Sequence, residues 1–421
     1  MVSSRTILDV HILQTVPPSN LNRDDTGSPK TALYGGVRRS RVSSQAWKRA
    51  TRRAFEGLLD PAELGVRTKK VAELLAARIT GLGVELEEPE ARQAAADTIT
   101  AATGAKVEPP KRKTKEGADD PAPESAYLMF LSSRQLDALA ALAAEGLRGS
   151  GGLKEFFKDK ENRARARAAA NSRHSVDIAL FGRMVADASD INVDAAAQVA
   201  HAISVHAVEN ESDYYTAVDD QRGEDEPGAG MIGTVDFNSA TLYRYAAVDV
   251  DRLRANLGDG PRADEPVTEP VRRAVEAFVE AFVMSIPTGK MNTFANQTVP
   301  DAVVVKLRSA RPISFAGAFE EAVKAGGDGL TGGHVAGACA QLAAYVPEVE
   351  KAFGAVTEDS WVLRVGERTS ALAGLGTEVG LDGLVEEVGA AVTKRLAGSV
   401  GAGSAGTGSV RAGSAGTGSA G

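Results

Sequence analysis

Hydrophobic and polar positions alternate with period two over Thr6–Leu13 (TILDVHIL), setting Ile7, Asp9 and His11 against Leu8, Val10 and Ile12. That period predicts a strand, which Pro17-Pro18 closes. After Ser43-Ser44 the period becomes helical, and Trp47, Ala50, Ala54 and Leu58 fall on one face of QAWKRATRRAFEGL. A serine there is suited to cap the first turn, its hydroxyl taking up an otherwise unpaired amide. From Asp60 to about Arg173 the chain is Ala-rich, with helices predicted at Thr68–Ile79, Glu88–Thr103, Ser133–Leu147 and Leu153–Ser172. Between the second and third, Glu108–Pro123 (EPPKRKTKEGADDPAP) is too rich in proline and charge to pack and reads as a flexible loop.

Alternation returns at Ser175–Met184, where Val176, Ile178 and Leu180 predict one face of a strand. Asp194–Val208 reads as an apolar, Ala-rich helix, Asp236–Val250 as a strand, and Asp251–Leu257 and Pro266–Ile286 as helices. A loop at Pro287–Gln297, a buried strand at Ala302–Leu307, a helix at Ser314–Ala325 and a short strand at Ser360–Val365 follow. From Ala397 the chain is low-complexity, with AGSAGTGS at Ala402–Ser409 and again at Ala412–Ser419, which predicts a disordered tail over 397–421. With the helical insertion set aside, strands and helices alternate. That order suits an α+β fold with a ferredoxin-like or RRM-like sheet, a frequent platform for RNA.

At 421 residues, 43% apolar and 25% charged, the chain has the composition of a soluble globular protein. No apolar run is long enough to span a bilayer, since even Val271–Ile286 is interrupted by Arg272, Arg273, Glu276 and Glu280. One cysteine, Cys339, permits no internal disulfide, and MVSSRTILDV lacks a signal-peptide pattern, so a reducing cytoplasm is the expected compartment. The five histidines are scattered; His201 and His206 are five apart, which does not place them on one ligating helix face, so no metal site is expected.

Charge changes the picture most. Asn20–Ala54 carries nine basic residues against Asp24 and Asp25, a net of +7 in a chain whose net charge is −8, which leaves the remainder at −15. A basic island spanning loop, glycine turn and helix in an acidic chain points to a polyanion. The free amides of a helix start, flanked by Arg and Lys, form a seat for phosphate. The candidates for that contact are Arg23, Lys30, Arg38, Arg39, Arg41, Lys48, Arg49, Arg52 and, from the later loop, Lys290. The opposite pattern occupies Asn210–Thr234, with seven acidic residues against Arg222 and an apolar tip at Met231-Ile232. Such a loop reaches nucleic acid by wedging an apolar side chain between bases, or docks on a basic surface of another subunit.

The blocks SNLNRDDTGSPKTALYGGVRRSRVSSQAWKRATR, SVDIALFGRM, VAHAISVH, YYTAVDD and FNSATLYRYAAVDV together resemble the CasC family, the backbone (RAMP-type) subunits of type I-E CRISPR Cascade. The likeness covers most of residues 6–320 in order; the Glu108–Pro123 loop and the tail fall outside it. It implies a hand-shaped molecule: palm over 1–59, 174–209 and 235–396 with C-terminal helices, helical fingers over 60–173, and a thumb hairpin over 210–234. It also implies copies stacked head to tail along one CRISPR RNA, alongside other Cascade subunits. By the resemblance the palm would grip the backbone through Arg23, Lys30, Ser44, Gln45, Lys48, Arg49 and Arg52, and Met184, Met231 and Ile232 would serve as base wedges. The guide would then pair with target DNA in antiviral defence, with sequence read by base pairing and the protein reading backbone and shape. No cofactor and no catalysis are implied.

Two enzyme readings compete. The first is a RAMP-type metal-dependent ribonuclease using Asp24 or Asp25; an Asp beside Arg23 more often forms a local ion pair or turn cap, and no accompanying base is evident. The second, a nucleotide-binding enzyme built on Gly35-Gly36, matches neither G-x-G-x-x-G nor a P-loop.

Overall fold

The computed structural model describes residues 5–108, 123–149, 151–185, 189–217, 231–258, 265–324, 333–355 and 357–404. The chain opens with strand β1 (Ile7–Ser19), the hairpin β2 (Thr31–Tyr34) and β3 (Val37–Val42), and helix α1 (Ser44–Ala54). A mainly helical unit follows: β4 (Gly65–Thr68), α2 (Val71–Gly81), α3 (Glu88–Thr103), β5 (Val107–Glu108), β6 (Glu124–Ser125), β7 (Met129–Ser132), α4 (Ser133–Arg148), α5 (Gly152–Phe156) and α6 (Lys160–Ala170). Helix α7 (Val176–Phe181) leads back to β8 (Ala197–Val199), β9 (Ala202–Ser204), β10 (Glu211–Ala217) and β11 (Met231–Asp249). Then come α8 (Val250–Leu257), α9 (Glu269–Met284), α10 (Met291–Phe294), β12 (Ala302–Arg308), α11 (Gly333–Phe353), β13 (Thr357–Arg364), β14 (Thr377–Glu378) and α12 (Leu381–Ser404).

The architecture is mixed α+β around one large sheet, ordered β14-β13-β12-β1-β11-β9-β3-β2, with β8 and β10 also paired to β11. All pairings are antiparallel except β13 with β14. The alternation read in β1 separates two buried faces, not a buried face from a wet one. Leu8, Val10 and Ile12 pack against Phe278 and Phe282 of α9 and Leu384, Val388 and Leu396 of α12. Leu13 faces the other layer, with Phe315, Phe319 and Leu342 of α11. The polar residues of β1 are satisfied inside the protein. Asp9 accepts from Arg308 Nε at 2.7 Å and from Tyr245 Oη at 2.8 Å, and His11 Nδ1 lies 2.9 Å from Tyr243 Oη.

The helical unit has its own core, in which Leu75 and Ile79 of α2, Ile99 of α3 and Leu136 and Leu139 of α4 meet. Capping residues mark its helix ends. Ser132 and Gln135 form a capping box at the start of α4, and Gly104, at φ 71°, closes α3 in the left-handed conformation that glycine adopts without strain.

Several elements differ from the sequence expectation. Ser175–Met184 is not a strand: α7 occupies Val176–Phe181, and Val176 through Leu180 are all buried, so the apparent alternation distinguished no wet face. Asp194–Val208 is not a helix but supplies β8 and β9; the unpaired edges of β11 and β3 outweigh the helix propensity of its alanines. Within Ser314–Ala325 only a 3₁₀ turn, Ala316–Phe319, forms, and Leu153–Ser172 divides into α5 and α6. The expected tail from Ala397 is helical as far as Ser404, and its remainder lies outside the described residues, as do Glu224 to Glu226 of the acidic segment and most of Glu108–Pro123. Among the described residues no helix is long and apolar enough to cross a membrane.

Burial lowers the pKa of both His174 and His206 to about 4, so each ring is neutral in the fold and charges readily once unfolded. A folded-state value below the unfolded one means that stability is lost as pH falls from about 6.5 toward those values, by up to about 1.4 kcal/mol per pH unit for each ring. Urea midpoints measured between neutral pH and about pH 5.5 should decline accordingly, and His206→Asn should flatten the decline.

Candidate nucleic-acid interface

Helix α1 carries the centre of the basic stretch, and its seat is unusual. Ser43 caps it, with the Oγ accepting from Ala46 N at 3.4 Å. Its buried face is Trp47 and Thr51, four residues apart, while Leu58 is exposed. Beneath it the fully buried Arg244 guanidinium lies 3.7 Å from the Trp47 ring centroid and 4.7 Å from that of Phe282. Arg244 donates to Gln14 Oε1 at 2.6 Å and to the carbonyl of Phe282, and burial draws its pKa down to about 9. A cation held between two aromatic faces anchors the helix to the sheet through both packing and charge.

With its inner face fixed, α1 projects its cations into two open clefts. The first, of about 740 Å³, is lined by Arg23, Asp24 and Asp25 from the loop after β1, Arg49 and Arg53 of α1, and Lys290. The second, of about 810 Å³, is lined by Gln45, Lys48, Arg49 and Arg52 of α1 together with Arg67, Phe130 and Met184. Arg49 borders both, so the two form one track across the helix. Four chain segments, carrying Arg23, the cations of α1, Arg67 and Lys290, therefore place cations together.

The loops that frame the track are tied to one another. In the first loop Asp24 Oδ1 accepts from Thr26 Oγ1 at 2.7 Å and from the amides of Thr26 and Ser28 at 3.0 Å each. The Thr26 hydroxyl, then the backbone donors, hold that carboxyl below its ordinary pKa. This is a turn cap made by a short acceptor side chain. Asp25 is exposed, and among the described residues no group of three or more His, Cys, Asp or Glu is placed to hold a metal ion. Ser28 Oγ donates to Asp236 Oδ2 at 2.5 Å and Asn20 Nδ2 to Asp236 O at 2.7 Å, fastening the loop to β11. Gly289 presses on the carbonyls of Asn20 and Leu21 where a Cβ would not fit, and Lys290 follows at φ 46°.

The individual candidates fare differently. Arg23, Arg38, Gln45 and Arg49 are exposed; Lys30, Arg41, Ser44, Lys48, Arg52 and Lys290 are half-buried. Arg52 is partly committed, lying 3.7 Å from buried Asp177 and 5.5 Å from the Phe130 ring centroid, and burial lowers the pKa of Lys48. Arg39 is a correction. It is fully buried and donates to the carbonyls of Tyr34, Ser204, Phe319 and Glu320 at 2.9–3.2 Å, so it pins the β2–β3 hairpin and has no donor facing solvent. The glycines there have the same purpose: Gly35 and Gly36, at φ 58° and 77°, make the hairpin turn, and a Cβ on Gly35 would overlap the carbonyl of Glu320.

Met184, 86% exposed, lines the second cleft together with Arg52. Ile232 is 61% exposed on β11; the side chain of Met231 lies outside the described residues. Residues 211–217 and 231–237 form a seven-pair antiparallel hairpin that continues β11 beyond the sheet. Tyr214 opposite Thr234 and Thr216 opposite Ile232 share one face, so exposed Tyr214 stands diagonally beside Ile232. Sequence reasoning passed over Tyr214, Arg53 and His201. The period-two position of Tyr214 relative to Thr216 signals its face, whereas nothing local points to His201.

These features define an α+β protein with a cationic track laid across one helix at the end of its sheet. The chain belongs to the CT1975-like protein family, whose model it matches over residues 8–387, and the resemblance to Cascade backbone subunits is borne out. It is similar to a chain of a solved CRISPR RNA-guided surveillance complex, pre-nicking, at 36% identity and a TM-score of 0.75, covering 92% of this chain and 100% of that one. It is also similar to a chain of a second CRISPR RNA-guided surveillance complex, at 31% identity and a TM-score of 0.64, covering 90% and 99%. No curated protein matches.

Adjacent arginines of β3 have opposite burial, and their substitutions separate accordingly. Arg39→Ala takes the donor from four carbonyls, two of them in buried hydrogen bonds, and should cost about 3 kcal/mol in urea unfolding, whereas Arg38→Ala should stay within about 0.5 kcal/mol.

Proposed function

We propose that this chain is a non-catalytic backbone subunit of a type I-E Cascade complex that grips CRISPR RNA by its sugar-phosphate chain. The observation that carries this reading is the convergence of Arg23, Arg49, Arg53 and Lys290 from separate segments on one open cleft beside α1. Arg49 and Lys48 continue the track into the second cleft. An open, cation-lined path with amides at a helix start fits phosphates repeated along a strand, and it offers few base-reading groups.

In this reading the sheet is an RRM-like palm, the unit of α2–α6 the fingers and the β10–β11 hairpin the thumb. Copies stack head to tail along the guide, so the thumb of one reaches the RNA on the next. Tyr214, Ile232 and Met184 present apolar surface on which a displaced base stacks, in the manner of side chains inserted between base steps. The guide stays open in short segments to target DNA, other Cascade subunits complete the assembly, and the setting is the cytoplasm. Engagement of Asp24 by its own loop supports a structural use of that carboxylate.

Lys48→Ala with Arg49→Ala should weaken binding to unrelated RNA sequences alike and lower the salt slope of log K by about 0.7 for each lost phosphate contact. An unchanged slope, measured by fluorescence anisotropy at several salt concentrations, would remove α1 from the interface. Tyr214→Ala with Ile232→Ala should leave the monomer's melting intact but abolish regular filaments on long RNA in electron micrographs.

A further inference from the structure

A ring that sequence analysis left aside sits at the start of α1. Antiparallel pairing of β3 with β9 sets Arg41 opposite Ile203 and Val42 opposite Ala202. Continued by one residue, that register brings His201 opposite Ser43, the cap of α1, and diagonal to Arg41 on the same face. The contact is made: Arg41 Nη1 lies 3.2 Å from His201 Nδ1. A guanidinium only donates, so Nδ1 accepts and the ring is neutral with its proton on Nε2. Lys30 closes the cluster, its carbonyl accepting from Arg41 N at 2.9 Å. The charges acting on the ring are Arg41 from β3 and Lys30 from the first loop. Partial burial first, then Arg41 and Lys30, hold the ring below its ordinary pKa. His201 is exposed on one side, so an anion can reach it.

We propose that His201 is a phosphate-binding residue of this interface, taking up one proton when an RNA phosphate enters between Arg41 and Lys30. This rests on the RNA-gripping function proposed above. The proton comes from solvent and adds to Nδ1, which changes from acceptor to donor. The hydrogen bond from Arg41 then breaks, and both the freed Nη1–H and the new Nδ1–H donate to phosphate oxygens. Without the anion, Arg41 and Lys30 oppose the charge; with it, the phosphate offsets them.

The sign follows from linkage. A bound-state pKa above the free-state one means proton uptake on binding, so RNA affinity rises as pH falls through the bound-state value and levels off below the free-state value. One proton gives up to about a tenfold gain per pH unit. Oligouridylate is the suitable probe, because neither its phosphodiesters nor its bases titrate near neutrality.

Affinity for a short oligouridylate should increase severalfold between about pH 7.5 and about pH 5.5, with proton uptake seen as a buffer-dependent calorimetric enthalpy. His201→Gln keeps an acceptor for Arg41 and removes the titration, so its affinity should be flat over that range. In the wild-type protein, the C2–H resonance of His201 should titrate at higher pH when RNA is bound. An equal pH slope in His201→Gln, or an unmoved resonance, overturns the proposal while leaving RNA binding in place. No oligouridylate binding at either pH would instead remove the proposed function, and this inference with it.

Discussion

The ladder between β1 and β11 is the constraint on which the rest of the structure depends. Ile7 to Val16 pair without interruption with Asp249 to Ala240, and over that length nearly every residue of both strands is buried. Because the ladder is antiparallel, the end of β1 and the beginning of β11 leave the sheet at the same edge. The first makes the basic loop; the second, paired with β10, makes the hairpin that extends about 20 Å past the sheet. Asp236 locks the two exits together by accepting from Ser28 in the loop and from Ser212 at 2.7 Å in β10. A slip of one residue would turn every core side chain of β1 to the opposite layer and separate loop from hairpin.

Buried cations form a second layer of control. Arg39, Arg183 and Arg244 are each nearly or fully buried with carbonyl or amide oxygens as acceptors, and Arg308 with the carboxylates of Asp9 and Glu350. Internal acceptors offset part of each guanidinium's desolvation, although Arg244 Nε is left without one, and truncating such an arginine strands several acceptors at once. Of these, Arg244 lies beneath α1, against Trp47, whereas Arg39 lies beneath the β2–β3 hairpin. The basic stretch therefore divides by burial, with some arginines building the platform and others facing solvent.

Much of the interface was legible from one dimension. A charge imbalance within Asn20–Ala54 marks a candidate polyanion surface without knowledge of the fold, because phosphate attraction is non-directional and needs only a local excess of cations. Ser43 and the apolar spacing that follows place α1, since capping and helical period are local properties. The exposed Ile232 follows from a glycine-spaced apolar pair in acidic surroundings. Neither α7 nor the β8–β9 pair was legible. A buried six-residue run has no wet side to reveal its period, and a strand that fills a waiting sheet edge takes its hydrogen bonds from residues far away in sequence.

By itself, the sequence determined that an acidic chain holds a basic island near its start, an acidic segment with an apolar tip, and an α+β order interrupted by helices. Those are matters of composition and period, which every residue carries locally. The tertiary structure decided that Lys290 joins Arg23 and Arg49 in one cleft, that Arg39 faces inward beside outward Arg38, and that His201 meets Arg41. Each of these depends on strand register and on which donors are buried, and those are set only when segments as much as 281 residues apart pack together.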